Sequence, residues 1–193
     1  MGTIFGAPSV AQVGDSTVIA ALGSDNSLQF YWQPIGSQGW NPEQVAGPGT
    51  TLSPPSVAQV GNSTVIAATR PDGSLVFYWQ PIGSQGWSPE EVAGPGTTFG
   101  SVSVAQVGDS TMIAAQGPEH SLAFYWQPIG SQQWNAEQVA GPDTTGYASV
   151  AQVGRNLSNQ MRHQAAWVVC GEVVVWGAAG GWLIHALAGS DGG

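Results

Sequence analysis

Short apolar runs with two-residue alternation, cut by glycine, asparagine and aspartate, fill this chain. In the first stretch Ser9–Val13 (SVAQV) stops at Gly14-Asp15-Ser16, and Thr17–Leu22 (TVIAAL) is β-branched and apolar. Leu28–Gln33 (LQFYWQ) carries three consecutive aromatics, and Trp40–Ala46 makes a fourth run. Runs of this length and period predict strands rather than helices. Ser24-Asp25-Asn26-Ser27, matched later by Pro71-Asp72-Gly73-Ser74, supplies the positive φ angles of a tight hairpin turn, so the flanking runs are expected to be antiparallel neighbours. Pro42 suits the fourth run to a sheet edge, because proline cannot donate to a ladder. Leu28, Phe30 and Trp32 project to one face of their strand, and Gln29, Tyr31 and Gln33 to the other. Neither face is polar enough to meet water, so the predicted sheet is covered on both sides.

The four-run block returns from Ser56 and again from Ser103, each time 47 residues on, and an altered copy opens at Ser149. In that copy RNLSNQMRH replaces the hairpin region, and QAAWVVC, EVVVWGA and GWLIHALAG supply the three later runs, with Trp182 matching Trp40. A fixed period of this size marks stacked supersecondary units, each unable to bury its apolar faces alone. Four short strands per unit predict an all-β fold, a β-propeller of four-stranded antiparallel blades. A β-trefoil wants three units rather than four. The expected organisation is a single domain over residues 1–193, with blades at approximately 8–54, 55–101, 102–147 and 148–193, the last diverged. With start and stop in phase, either four blades close alone or two chains share a ring of about eight. Uncovered blade faces would be strongly apolar, as assembly surfaces are.

Composition narrows the partners. Three Lys+Arg against 12 Asp+Glu give a net charge of −9, and lysine is absent. Phosphate backbones and anionic membranes demand a basic patch, so nucleic acid and membrane insertion are not expected. Cys170 is the single cysteine and has no partner for an internal disulfide; it reads as a small buried hydrophobe. No basic segment followed by an apolar one succeeds Met1, so no signal peptide is expected. The apolar stretch near Ala165–Gly177 contains Glu172 and is too short to span a bilayer. A soluble chain is expected, with its compartment open.

The spacing S-V-A-x-x-G, then D-x-S-L-x-x-Y-W, a tryptophan eight residues on and V-A-G resembles the bacterial lectin propellers related to the Photorhabdus fucose-binding lectin. It resembles the tectonin repeats more loosely, and is similar to modules appended to some actinobacterial sugar deacetylases. The resemblance covers residues 8 to 147 and part of 148 to 193. It implies a propeller that binds glycans; no cofactor or metal is expected. The chain departs from those lectins in having fewer blades and in the longer loop Gln33-Pro34-Ile35-Gly36-Ser37-Gln38.

Each intact unit offers one polar and aromatic set. The first holds Tyr31, Trp32, Gln33, Trp40, Asn41 and Glu43; the second Tyr78, Trp79, Gln80, Trp87, Ser88 and Glu90; the third Tyr125, Trp126, Gln127, Trp134, Asn135 and Glu137. An aromatic face stacks on the C–H face of a pyranose, and amides and carboxylates bond its hydroxyls. Weak single sites repeated on a rigid frame gain strength by multivalency. Against this, Phe30, Phe77 and Phe124 read as blade core, and Trp32 and its copies as packing between blades. Trp40, Trp87 and Trp134 read either way. No catalytic residue is expected: glycoside hydrolysis needs two carboxyls about 5–10 Å apart across one bond, and one carboxylate per repeat does not supply the pair. His120, His163 and His185 fall in unlike positions without metal spacing. His120 in the turn slot reads as solvated. His185 stands where Glu43 stands in the first unit, which leaves about three equivalent sites at most. The second reading is a structural or protein-interaction scaffold that assembles into a larger ring.

Overall fold

A computed structural model describes residues 4–146, 148–152, 166–170, 173–178 and 181–186, with side chains as far as Val150. Among the described residues sixteen strands fall into four antiparallel four-stranded sheets, each ordered as its strands occur in the chain. The first holds β1 (Ile4–Val13), β2 (Ser16–Gly23), β3 (Leu28–Pro34) and β4 (Asn41–Ala46). The second holds β5 (Ser56–Val60), β6 (Ser63–Thr69), β7 (Leu75–Pro81) and β8 (Ser88–Ala93); the third β9 (Val102–Val107), β10 (Ser110–Gln116), β11 (Leu122–Pro128) and β12 (Asn135–Ala140). The fourth holds β13 (Ala148–Gln152), β14 (Ala166–Cys170), β15 (Val173–Ala178) and β16 (Gly181–Ala186). Among the described residues no helix is long and apolar enough to cross a membrane. RNLSNQMRH, with Arg155, Arg162 and His163, lies outside the described residues, and so do the side chains of Cys170, Trp182 and His185.

The registers repeat as the sequence does. Val18 faces Trp32, Val65 faces Trp79 and Met112 faces Trp126; Phe30, Phe77 and Phe124 face Glu43, Glu90 and Glu137. The proline-bearing strands β4 and β8 are sheet edges, where the missing N–H costs no ladder bond. β1 starts at Ile4, earlier than the predicted Ser9, with a register shift between Phe5 and Ser9.

The hairpin turns form by local bonding. Asp25 Oδ1 accepts the Ser27 N–H at 3.1 Å while Asn26 takes φ 59°. Asp72 Oδ1 accepts both the Ser74 N–H at 2.9 Å and its hydroxyl at 2.7 Å. These hydrogen bonds hold both carboxyls below the usual carboxylate range. The third turn departs: Pro118–His120 forms a 3₁₀ turn with Glu119 at φ 52° and His120 at φ 57°. His120 was expected to be free in solvent. It is exposed, but its Nδ1 lies 2.7 Å from Gln116 Nε2, which also donates to the Thr145 carbonyl at 2.8 Å.

The sheets pack face to face through their first strands, β1 on β5, β5 on β9 and β9 on β13. Each joint encloses its own apolar core. The first gathers Val13, Val18, Ala20, Leu28 and Phe30 against Val57, Ile66, Ala68, Val76 and Tyr78. The second gathers Val60, Val65, Ala67, Leu75 and Phe77 against Val102, Val104, Ile113, Ala115 and Tyr125. In the third, Val107, Met112, Ala114, Leu122 and Phe124 meet Ala148 and Val150. A bond at the axis locks each joint: the Val57, Val104 and Val150 N–H groups donate to Ser9, Ser56 and Ser103 Oγ at 3.0, 3.0 and 2.9 Å. Two further clamps run from the Gly14 and Gly61 N–H groups to Gln59 and Gln106 Oε1, at 2.8 and 2.7 Å. The expectation of a sheet covered on both faces holds for the second sheet. The first is covered on one.

Candidate binding site between sheets

Strand parity decides which polar side chains can meet. Residues directly opposite in an antiparallel pair project to the same side, so Glu43 shares the face of Phe30, turned toward the second sheet. Gln33 lies one residue past Trp32 and takes the opposite face. The glutamate and glutamine of one sheet therefore belong to two different joints. The structure bears this out: Gln80 Nε2 of the second sheet donates to Glu43 Oε1 of the first at 3.3 Å, and Gln127 Nε2 of the third to Glu90 Oε1 of the second at 3.0 Å.

The outer tryptophans complete the arrangement. Trp87 and Trp134 stand just before the edge strands β8 and β12 and meet Phe30 and Phe77 of the preceding sheet edge-on, with centroids 5.1 and 5.3 Å apart and interplanar angles of 73° and 68°. That geometry sets the positive ring edge against the negative face. Trp134 Nε1 donates to Glu90 Oε1 at 2.9 Å, so one carboxylate oxygen at the second joint receives two donors. At the first joint Trp87 Nε1 is buried without a partner. Glu43 and Glu90 are half-buried, whereas Glu137 is exposed. In the fourth sheet Gly177 follows Trp176 where a glutamine follows Trp32, Trp79 and Trp126, and His185 pairs with Val174 as Glu43 pairs with Phe30.

The remaining expected residues divide. Trp32 and Trp79 are 37% and 38% exposed, which corrects their reading as packing between sheets; they are open surfaces near the β3–β4 and β7–β8 loops. Trp126 is half-buried and stacked on Phe124, centroids 5.7 Å apart and planes at 23°. Asn41 and Asn135 donate to the carbonyls of Trp32 and Trp126 at 3.3 Å and so tie the edge strand to its neighbour. Tyr78 and Tyr125 are buried, and burial pushes the Tyr125 phenol up. Ser88 is half-buried and faces Trp79 across the ladder. In the first sheet Tyr31 is half-buried, Gln33 Nε2 donates to its own loop at the Ser37 carbonyl (2.9 Å), and Trp40 is 44% exposed.

Each complete joint thus offers a carboxylate, a primary amide and an indole N–H beside an open indole face. This set suits a neutral polyhydroxylated ligand. Among the described residues no group of His, Cys, Asp and Glu could hold a metal ion. Sequence reading missed the pairing across joints, and the signal was present in the two-residue alternation that separates Gln33 from Glu43.

No protein-family model matches the chain, and no curated protein matches it either. Solved structures do. The BP39L lectin from Burkholderia pseudomallei superposes with a TM-score of 0.72 at 20% identity, over 92% of this chain and 54% of that one. The Aleuria aurantia lectin, a six-bladed β-propeller with a fucose recognition mode, gives 0.60 at 14% identity over 94% and 61%. The chain has the β-propeller fold. A Synechocystis apocarotenoid oxygenase also matches, at 0.53 and 9% identity over 97% and 51%, so this architecture serves catalysts as well as lectins. The chain spans about half the length of the proteins it matches.

Proposed function

We propose that the chain is a non-catalytic, lectin-like, carbohydrate-binding β-propeller module whose weak sugar sites lie at the joints between blades. The observation that carries this reading is Glu90, which draws Gln127 and Trp134 of the next sheet onto one oxygen, on the face of its sheet that carries the open indole of Trp79. A pyranose laid on that indole presents its hydroxyls to a fixed acceptor and a fixed amide, held by the apolar core beneath. The similarity in fold to fucose-binding lectins supports the choice of ligand class.

In this reading the blades are residues 8–54, 55–101, 102–147 and 148–193 of one domain, and the repetition raises affinity for clustered glycans. The joint rather than the blade is the binding unit. Glu43 with Gln80 and Trp87, and Glu90 with Gln127 and Trp134, make two complete sites. The carboxylates stand one to a joint, which supports binding without hydrolysis. The scaffold reading keeps one observation in its favour, the uncovered apolar face of the first sheet.

Calorimetric titration with L-fucose, D-mannose and D-galactose tests the proposal. Saturable heat near two sites per chain is expected, accompanied by a change in tryptophan fluorescence. No heat and no fluorescence change with any of the three contradicts it.

A further inference from the structure

The two complete joints hold their carboxylates without a cation. Glu43 and Glu90 are half-buried, and in each only Oε1 is engaged, by Gln80 Nε2 at the first joint and by Gln127 Nε2 and Trp134 Nε1 at the second. These donors are neutral. Oε2 of each glutamate takes no donor among the described residues, and the fold does not enclose it. Cations are scarce along the whole chain, with 3 Lys+Arg against 12 Asp+Glu. Between residues 4 and 150 the one arginine is Arg70, in the β6–β7 turn beside Asp72, and the one histidine is His120, in the turn between β10 and β11. The joint glutamates stand elsewhere, in β4 and β8.

An aromatic face lies on the same side as each carboxylate. Phe77 pairs with Glu90 and Trp79 stands two residues on, so Trp79 and Glu90 project together. Diagonal neighbours of this kind are roughly 7–8 Å apart. Trp32 and Glu43 repeat the arrangement in the first sheet. Both indoles are open to solvent. A pyranose laid on the indole brings the substituents of its edge toward the free oxygen. A neutral ring answers that oxygen with a hydroxyl and leaves the charge unmatched. An ammonium group answers the charge as well, and is attracted by the electron-rich indole face.

We propose that the preferred ligand of these joints is a hexosamine with a free amino group, its ring on Trp32 or Trp79 and its ammonium on Oε2 of Glu43 or Glu90. The inference rests on the sugar reading and narrows it to one ligand class. A charge-assisted hydrogen bond is about twice as strong as a neutral one, and among the described residues no lysine or arginine competes for the carboxylate. The net charge of −9 adds a long-range attraction for a cationic sugar and repels an acidic one. The first joint gains most, because Glu43 Oε1 has Gln80 alone at 3.3 Å, where Glu90 Oε1 has two closer donors.

Tryptophan-fluorescence titration with D-glucosamine, D-glucose, N-acetyl-D-glucosamine and D-glucuronic acid reads the outcome at about pH 6, where the sugar amine is protonated. Glucosamine should bind about tenfold more tightly than glucose or N-acetylglucosamine. Glucuronic acid should bind more weakly than glucose, and the advantage of glucosamine should vanish above the titration of its amine. In the double variant Glu43→Gln, Glu90→Gln the two hexoses should bind alike. Ethanolamine, which carries the ammonium without the ring, should not displace glucosamine at equal concentration. Equal binding of glucosamine and glucose to the wild type, an advantage that survives both substitutions, or displacement by ethanolamine overturns the inference, while glucose binding in the same titration keeps the sugar reading standing. Binding of none of the four sugars removes both.

Discussion

The first and second sheets have nearly the same sequence and the same register, yet one is a surface where the other is a core. Tyr78 and Gln80 are buried at 4% and 5%, while their counterparts Tyr31 and Gln33 are half-exposed. Gln80 reaches a glutamate of the preceding sheet, whereas Gln33 folds back on its own loop. Trp87 finds the ring of Phe30, and Trp40 finds water. No local preference explains the difference, because the strands themselves are alike. The neighbour does: an apolar face in this architecture becomes core only when another sheet is laid on it. The burial that stabilises the molecule therefore resides in the joints.

The widest separation between the two sheets is expected in stability. Ile66 is fully buried in the first joint, so Ile66→Ala should cost about 3 kcal/mol, the usual loss for a buried aliphatic truncated to alanine. Ile19, its counterpart on the open face, is half-buried, and Ile19→Ala should cost less than half as much in urea denaturation. Equal losses would break the comparison. A smaller contrast is expected at the axis. Ser9 accepts the Val57 N–H, and Ser9→Ala should cost about 1 kcal/mol, the typical net value of one hydrogen bond. Ser149, at the matching position of the fourth sheet, is exposed, and Ser149→Ala should cost less.

The least effect concerns the turns. Asp72 is held below the usual carboxylate range by Ser74, so the folded state favours the ionised group. Its contribution is present above the ordinary aspartate value of 3.8 and is lost as pH falls through the lowered folded value. The protection of the Ser74 amide against exchange, relative to an unstructured peptide, should therefore fall as pH drops through that lowered value, while that of Ser121, bonded to the Pro118 carbonyl in the turn without an aspartate, should not follow it. Asp72→Asn should remove the acid response. The group is exposed, so global stability should barely move.

Much of the fold was legible in the sequence because it is local. The alternation in TVIAAL and LQFYWQ gave strands, Asp25-Asn26 and Asp72-Gly73 gave hairpins, and Pro42 marked an edge. The third turn was less legible, since Glu119 and His120 adopt positive φ without glycine or asparagine. The site was legible in its residue types but not in its grouping. Tyr31, Gln33 and Glu43 look like one cluster along the chain, and only the side to which each projects assigns them to separate joints. Whether Trp40 is wall or surface is not a property of its own repeat at all. It depends on the sheet laid against it, and among the described residues no sheet covers that face of the first.

The third sheet separates the two possible units most cleanly. If sites lay within blades, Glu137 would serve Trp134 and Gln127; in the joint account Glu90 of the second sheet serves them. Tryptophan-fluorescence titration with the best-binding monosaccharide, comparing Glu90→Gln with Glu137→Gln, decides between them. The joint account predicts that Glu90→Gln weakens binding at that site about tenfold, consistent with the loss of a charge-assisted hydrogen bond, and that Glu137→Gln leaves it unchanged. Loss of binding in Glu137→Gln with Glu90→Gln unaffected would contradict the account.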